Sequence, residues 1–230
     1  MTAARIAFAA AVAALAVAAL PAGSGAANEC NGIPRCVPVQ GPWVAVPITG
    51  EADYMLECPQ GRGLVAGTDG LASSIDVHAT FDGILGSPVA FGRTTNSSAL
   101  FRAVSGHHRP GAFKPFIGCI PSPTQLRNTI ATQATPVGPP LDLRAIRVKV
   151  NAGVIKAVSL SCGKGETLVD SWSAKAFATA KPPAPELAMA IELQTRIIHG
   201  NRAQLSIAVS EALPATAQAE VQLGVRCATA

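Results

Sequence analysis

The sequence predicts an all-β fold made of two tandem, disulfide-stapled β-sandwich modules, each about the size of an immunoglobulin domain. Three observations predict it. Apolar residues alternate along many short runs, Gly/Pro turn signals separate those runs, and a cysteine-bracketed pattern recurs 104 residues later.

The N-terminus is read first, because it sets the compartment. Arg5 precedes an unbroken apolar run from Ile6 to Leu20, followed by Pro21 and the small residues Gly23 to Ala27. A positive start, an apolar stretch of that length and a small-residue end describe a secretory signal peptide, with cleavage near Ala27. A transmembrane anchor needs about 20 apolar residues, and Pro21 ends the run too early. The chain after cleavage is therefore expected to be exported and not to span a membrane.

What remains is about 200 residues, a length for one large or two small domains. The formal net charge is +4, with Lys and Arg scattered singly. That distribution lacks the basic stripe of a nucleic-acid binder. Aromatic residues make up only 4% of the chain, too few for a long sugar-stacking platform.

All six cysteines follow residue 27: Cys30, Cys36, Cys58, Cys119, Cys162 and Cys227. An even count in an exported chain implies disulfides. No Cys-x-x-Cys occurs, so the common zinc and redox spacings are absent.

The internal repeat supplies the pairing. Val44, Val46, Tyr54, Leu56, Cys58, Gly61, Leu64 and Val65 fall on Val148, Val150, Val158, Leu160, Cys162, Gly165, Leu168 and Val169 at a displacement of 104. Farther on, "LFRAVS" at 100–105 recurs as "LSIAVS" at 205–210, displaced by 105. Phe113, Pro115, Ile117 and Cys119 match Val221, Leu223, Val225 and Cys227 in pattern. Each copy opens with a cysteine behind a period-two run and closes with another, so the two thiols of a copy face inward together. Bridges Cys58–Cys119 and Cys162–Cys227 follow, leaving Cys30–Cys36 to close a small loop around Pro34.

The remaining elements read as short strands. Ile75, Val77, Ala79 and Phe81 alternate, as do Leu187, Met189, Ile191 and Leu193, then Leu205, Ile207 and Val209. Turn signals lie at Asp82-Gly83, Gly86-Ser87-Pro88, Arg109-Pro110-Gly111 and His199-Gly200-Asn201. In "LDLRAIRVKV" the apolar parity changes between Ala145 and Ile146, which predicts a β-bulge. Alanine-rich 172–181 and 212–220 have room for a helical turn, though nearby prolines forbid long helices. The divisions are thus a signal peptide at 1–27, an N-terminal module at 28–123, a Pro-rich linker at 124–140 and a C-terminal module at 141–230.

A strand ending in Cys58-Pro59-Gln60-Gly61, then Leu64-Val65, with Cys119 closing, resembles duplicated β-modules of uncharacterised exported bacterial proteins. The second copy departs from it, with Gly163 in place of Pro59 and Asp170-Ser171 in place of Ala66-Gly67. The resemblance implies fold and export, and no activity.

Motifs for catalysis are few. Ser161-Cys162-Gly163-Lys164 has Ser-x-x-Lys spacing, but it leaves a strand-like run, carries a disulfide cysteine and lacks the accompanying motifs of acyl-transfer enzymes. His78 reads as an exposed strand residue. His107 and His108 precede Arg109 at a loop tip, where adjacent strand residues point apart and disfavour a shared metal ion. No metal site, cofactor or catalytic residue is expected. The candidate binding surface is Trp43, Arg102, His107, His108 and Arg109; the parity of Trp43 opposes Val44 and Val46, which leaves it either facing outward or packed beneath the Cys30–Cys36 loop. Arg102 falls on Ile207 in the repeat, a divergence that either marks an interface or leaves a solvated guanidinium. Trp172 is either local core or a copy-specific contact. The function expected is a secreted, non-catalytic binding or structural protein of the cell surface or medium, its partner an extracellular or envelope protein or a glycan. The rivals are a protease or hydrolase inhibitor presenting the 107–111 loop, and an extracellular hydrolase with an unrecognised site.

Overall fold

A computed structural model of the chain describes residues 28–59, 63–82, 97–106, 109–121, 141–198 and 200–229. The expected signal peptide, the linker at 124–140, residues 60–62, the expected turn residues Gly83 and Gly86-Ser87-Pro88, His107, His108 and His199 lie outside these residues. The described chain is mostly β, with antiparallel sheets, one short helix and three disulfides.

In the first half the strands are β1 (Val37–Gln40), β2 (Trp43–Val46), β3 (Glu51–Glu57), β4 (Leu64–Ala72), β5 (Val77–Asp82), β6 (Ser98–Ser105) and β7 (Gly111–Ile120). In the second they are β8 (Leu141–Lys149), β9 (Ile155–Ser161), β10 (Glu166–Phe177), β11 (Ile191–Ile198), β12 (Arg202–Val209) and β13 (Ala219–Thr229). A five-residue helix, α1 (Pro185–Met189), starts on a proline and precedes β11. A 3-10 turn at Ala215–Ala217 precedes β13. The helical turn therefore falls after the 172–181 stretch, whose first residues continue β10. Leu187 and Met189, expected on a strand, belong to α1. Ile75, expected to begin a strand, is exposed at a bend just before β5.

One long sheet runs β1-β7-β2-β10-β13-β8, with β4 on the other edge of β7. Two three-stranded sheets, β3-β6-β5 and β11-β12-β9, pack on it. The two halves of the chain meet within the long sheet, where Val44 and Trp43 of β2 pair with Ala176 and Phe177 of β10.

Backbone bonds in the halves correspond at 104 residues. Gly50 N donates to Pro47 O and Val154 N to Asn151 O; Cys58 N donates to Ser97 O and Cys162 N to Asn201 O; Ser105 N donates to Gly50 O and Val209 N to Val154 O. The same displacement places Thr49 (φ 52°) on Gly153 (φ 70°), the left-handed residue of each turn. Tyr54 pairs with Phe101 and Val158 with Leu205. Phe101 therefore corresponds to Leu205, and Arg102 to exposed Ser206. The match of "LFRAVS" to "LSIAVS" is out of register by one residue.

Bulges also recur. The register shifts between Val65 and Gly67 opposite Cys119, and between Leu168 and Asp170 opposite Cys227. Val65 and Leu168 thus occupy like positions, because the first loop after the cysteine is one residue longer. No bulge interrupts β8, contrary to expectation: its ladder with β13 is continuous from Leu141 to Lys149. The parity change has another cause. Ile146 and Val148 pack into the core below β9, β11 and β12, while Leu143 and Ala145 pack against Met55, Leu100 and Trp172. Both faces of β8 are covered, so apolar residues occur at both parities.

The cysteines pair as Cys58–Cys119, Cys162–Cys227 and Cys30–Cys36, the three bridges the repeat predicts. The first two close loops with sequence separations of 61 and 65. In the chain-entropy model each such bridge contributes about 4 kcal/mol.

The two cores lie on opposite faces of the long sheet. Phe177, Val221, Leu223 and Val225 face β9, β11 and β12. Ala174 and Ala176 join Val44, Tyr54, Phe101, Phe113 and Ile117 in the other core. Beyond it, Trp172 packs with Met55 and Leu100 on the second face of β3 and β6. The first three-stranded sheet is therefore covered on both faces. The outer face of the second, carrying Ala157, Ser159 and Ser206, is exposed.

Candidate functional site

Charged side chains of the two halves meet at the seam, where Arg226 of β13 approaches Asp53 of β3. Arg102 donates from Nε to Asp53 Oδ1 and from Nη2 to Asp53 Oδ2, both at 2.8 Å. Asp53 is 4% exposed, and Arg226 Nη2 of β13 lies 3.7 Å from its Oδ2. The hydrogen bonds it donates to Asp53 hold the Arg102 guanidinium well above its ordinary range. Arg102 thus pairs within its own half, and its side chain stays 39% exposed. Tyr54 donates its hydroxyl to Glu220 Oε1 at 2.7 Å, and the Arg147 guanidinium lies 5.5 Å from its ring centroid. Burial pushes the Tyr54 phenol far above its usual value.

Trp43 does not face outward. It is 6% exposed, with Lys114 Nζ 5.6 Å from its ring. Val44 faces one core while Ala45, of the same parity as Trp43, packs against the other, so both faces of β2 are covered. Burial lowers the Lys114 ammonium below its usual range. Trp172 is core: its indole N–H donates to Gln222 Oε1 at 3.2 Å.

Two hollows flank the two-residue joint of β2 with β10. One, of about 500 Å³, is bordered by Lys114, Arg147, Glu220 and Tyr54. Three of these are engaged with one another: Tyr54 bonds Glu220, and Arg147 covers the Tyr54 ring. The other, of about 610 Å³, opens where the β2–β10 ladder stops, beside Ala45, Val46 and Ser173 to Lys175. Prolines 182, 183 and 185 and helix α1 form one wall, Ile48 and Leu193 add apolar surface, and Arg109-Pro110-Gly111 stands at its rim. Met189 and Ile48, 72% and 51% exposed, leave apolar surface open beside it.

One ammonium stands in this apolar cleft. Lys175 Nζ donates to Ala188 O at 2.8 Å, tying α1 to β10. Burial lowers its pKa, and Glu192 opposes that shift. A concave, mostly apolar site of this volume with few polar groups suits a small ligand; Lys175 offers it a cation, with exposed Glu51 and Arg109 at the margin.

Among the described residues of the sequence-predicted surface, only Arg109 lines this cleft. Its carbonyl accepts from Ser105 Oγ at 2.7 Å, which fixes the loop end. Lys175 and Met189 escaped sequence reasoning, since no motif joins residues so far apart in the chain. Ser161 ends β9, its Oγ accepting from Arg202 Nε at 3.1 Å, and Cys162 is bridged. His78 is exposed. Among the described residues no three His, Cys, Asp or Glu side chains are grouped for a metal ion.

Comparison with models of protein families, with curated proteins and with solved structures finds no match. Among the described residues no helix is long and apolar enough to cross a membrane. The three disulfides are compatible with an extracellular protein.

Proposed function

We propose that this is an exported, non-catalytic binding protein, made of two tandem copies of one disulfide-stapled β-module, which takes a slender apolar ligand with an anionic end. The observation that carries the ligand reading is the cleft of about 610 Å³ at the β2–β10 joint, with Lys175 in its wall. The duplication is supported by three pairs of backbone bonds displaced by the same 104 residues and by matching disulfides. Export is supported by the N-terminal pattern of Arg5, the Ile6–Leu20 run and Gly25-Ala26-Ala27.

In this reading the seam is the working part. The copies fused side by side through β2 and β10, and the short ladder left a gap that neither copy closes. Apolar burial supplies affinity and Lys175 orients the ligand's charged end. The test is fluorescence titration with long-chain carboxylates and their neutral alcohols. Wild-type protein is expected to prefer the carboxylate, Lys175→Met to lose that preference, and Leu193→Trp, which fills the cleft, to bind neither. Failure of every such probe to bind the wild-type protein would sink the ligand assignment.

A further inference from the structure

The backbone nitrogen of Asn28 donates to Asp69 Oδ2 at 2.7 Å. The other carboxylate oxygen, Oδ1, accepts from Gly70 N at 2.7 Å, so Asp69 is held in place on β4. Glu29 follows directly in the chain. It is 4% exposed, and its Oε2 has no hydrogen-bond partner. Its carbonyl lies against Gly67 of β4 and Gly118 of β7, so close that a Cβ at either position would collide with it. The Cys30–Cys36 bridge closes the turn immediately behind.

Among the described residues neither Asp69 nor Glu29 is in a salt bridge. The Asn28 nitrogen thus meets one carboxylate, Asp69, and is followed in the chain by a second, buried one, Glu29; the next cation along the chain is Arg35. In an uncut chain the Asn28 nitrogen is a neutral amide with one proton to give. Burying a carboxylate without a compensating charge is costly. A free α-amine would place three donors and a full charge at the position Asp69 already holds.

We propose that the chain is cut between Ala27 and Asn28, and that the freed α-ammonium docks on Asp69. The cut is a hydrolysis by an endopeptidase of the host: water adds to the Ala27 carbonyl and the C–N bond breaks. Ala27 leaves as a carboxylate and Asn28 keeps the amine, which is protonated. The small residues Gly25-Ala26-Ala27 suit the peptidases that process exported chains. The inference rests on the export reading for the cut, whereas the docking rests on Asn28, Glu29 and Asp69 alone. The mature terminus is then a structural part of the first half, pinned between β4 and β7.

Two measurements test it. The chain is expressed with its own leader in a bacterial host, and the N-terminal sequence of the exported product is read; Asn28 is expected first. A different first residue overturns the cut site, and a chain that is never exported or cut overturns the export reading with it. Separately, a chain beginning at Asn28 and one carrying Gly-Ser before Asn28 are compared by urea denaturation, each with Asp69 and with Asp69→Asn. The free amine should favour folding roughly five- to tenfold with Asp69 present, and less than about twofold with Asp69→Asn. No effect of the extension, or an equal effect in both backgrounds, overturns the docking.

Discussion

Gln222 on β13 presents its side-chain amide to the backbone of Met55 on β3, accepting from the Met55 N–H at 2.7 Å and donating to the Met55 carbonyl at 2.9 Å. A side chain here replaces a neighbouring strand. β3 pairs with β6 along one edge, and at Met55 the second half of the chain satisfies its other backbone groups. Gln222 is 0% exposed and also accepts from the Trp172 indole.

Replacing Gln222 with Leu removes both acceptor contacts without changing volume much. The Met55 N–H and the Trp172 N–H lose their partner, while Arg147 Nη2 still reaches the Met55 carbonyl at 3.1 Å. Two stranded buried donors cost about 3 kcal/mol together. Urea denaturation should show that loss, and a change below about 1 kcal/mol would refute the pairing as a stabilising element.

Arg102→Ala tests whether the predicted surface residue pairs within its own half. It strands the buried Asp53 carboxylate, with Arg226 left 3.7 Å away. Because Arg102 is itself 39% exposed, the expected loss is modest, about 1–3 kcal/mol. Asp53→Ala should cost a similar amount, and the double variant less than the sum of the two. Strict additivity would mean that the paired geometry contributes nothing.

The repeated turn offers a change that should stabilise. Thr49 occupies a left-handed position, φ 52°, where the second half has Gly153. A β-branched residue there is strained by about 1 kcal/mol. Thr49→Gly relieves this strain, though the unfolded chain gains freedom and returns part of the benefit. A higher melting temperature is expected, with the reverse change, Gly153→Thr, lowering it.

The charge of Lys175 sets a pH dependence. Burial holds its folded pKa below the ordinary 10.5. The folded state then binds fewer protons than the unfolded one between those two values, so this group destabilises at neutral pH and ceases to do so as pH rises through them. Lys175→Met should therefore leave stability unchanged or raise it. Carboxylate binding by the wild type needs the ammonium and should weaken as pH climbs through the lowered pKa; in Lys175→Arg it should stay flat over the same range. A wild-type affinity that does not move up to about pH 11 would remove Lys175 from the site.

Sequence reasoning succeeded where a strand has one wet face. Val158, Leu160, Leu205 and Ile207 alternate cleanly because the outer face of their sheet is open, and the cysteine bridges followed from the same parity. It failed where both faces are covered. The outward reading of Trp43 on β2 fails because the ring is buried beside Lys114, and Leu143 and Ala145 on β8 read as a bulge although they pack on a second layer. The Arg102–Ile207 match failed for a subtler reason: similar hexapeptides overlapped one residue away from the pairing that β3 and β9 enforce. The cleft had no local signature, since Val46, Lys175 and Met189 come together only through the fold.

The covered second face of β3 has a consequence for the order of events during synthesis. Chains emerge N-terminal end first, so Met55, Leu100 and Asp53 are made long before Trp172 and Gln222 can cover them. The contact that completes β3 joins residues 167 apart, a separation that slows folding. The second half can assemble its own core as soon as it is made. The first must wait for its neighbour, carrying a half-finished underside through the interval, and the seam becomes the last joint of the molecule to close.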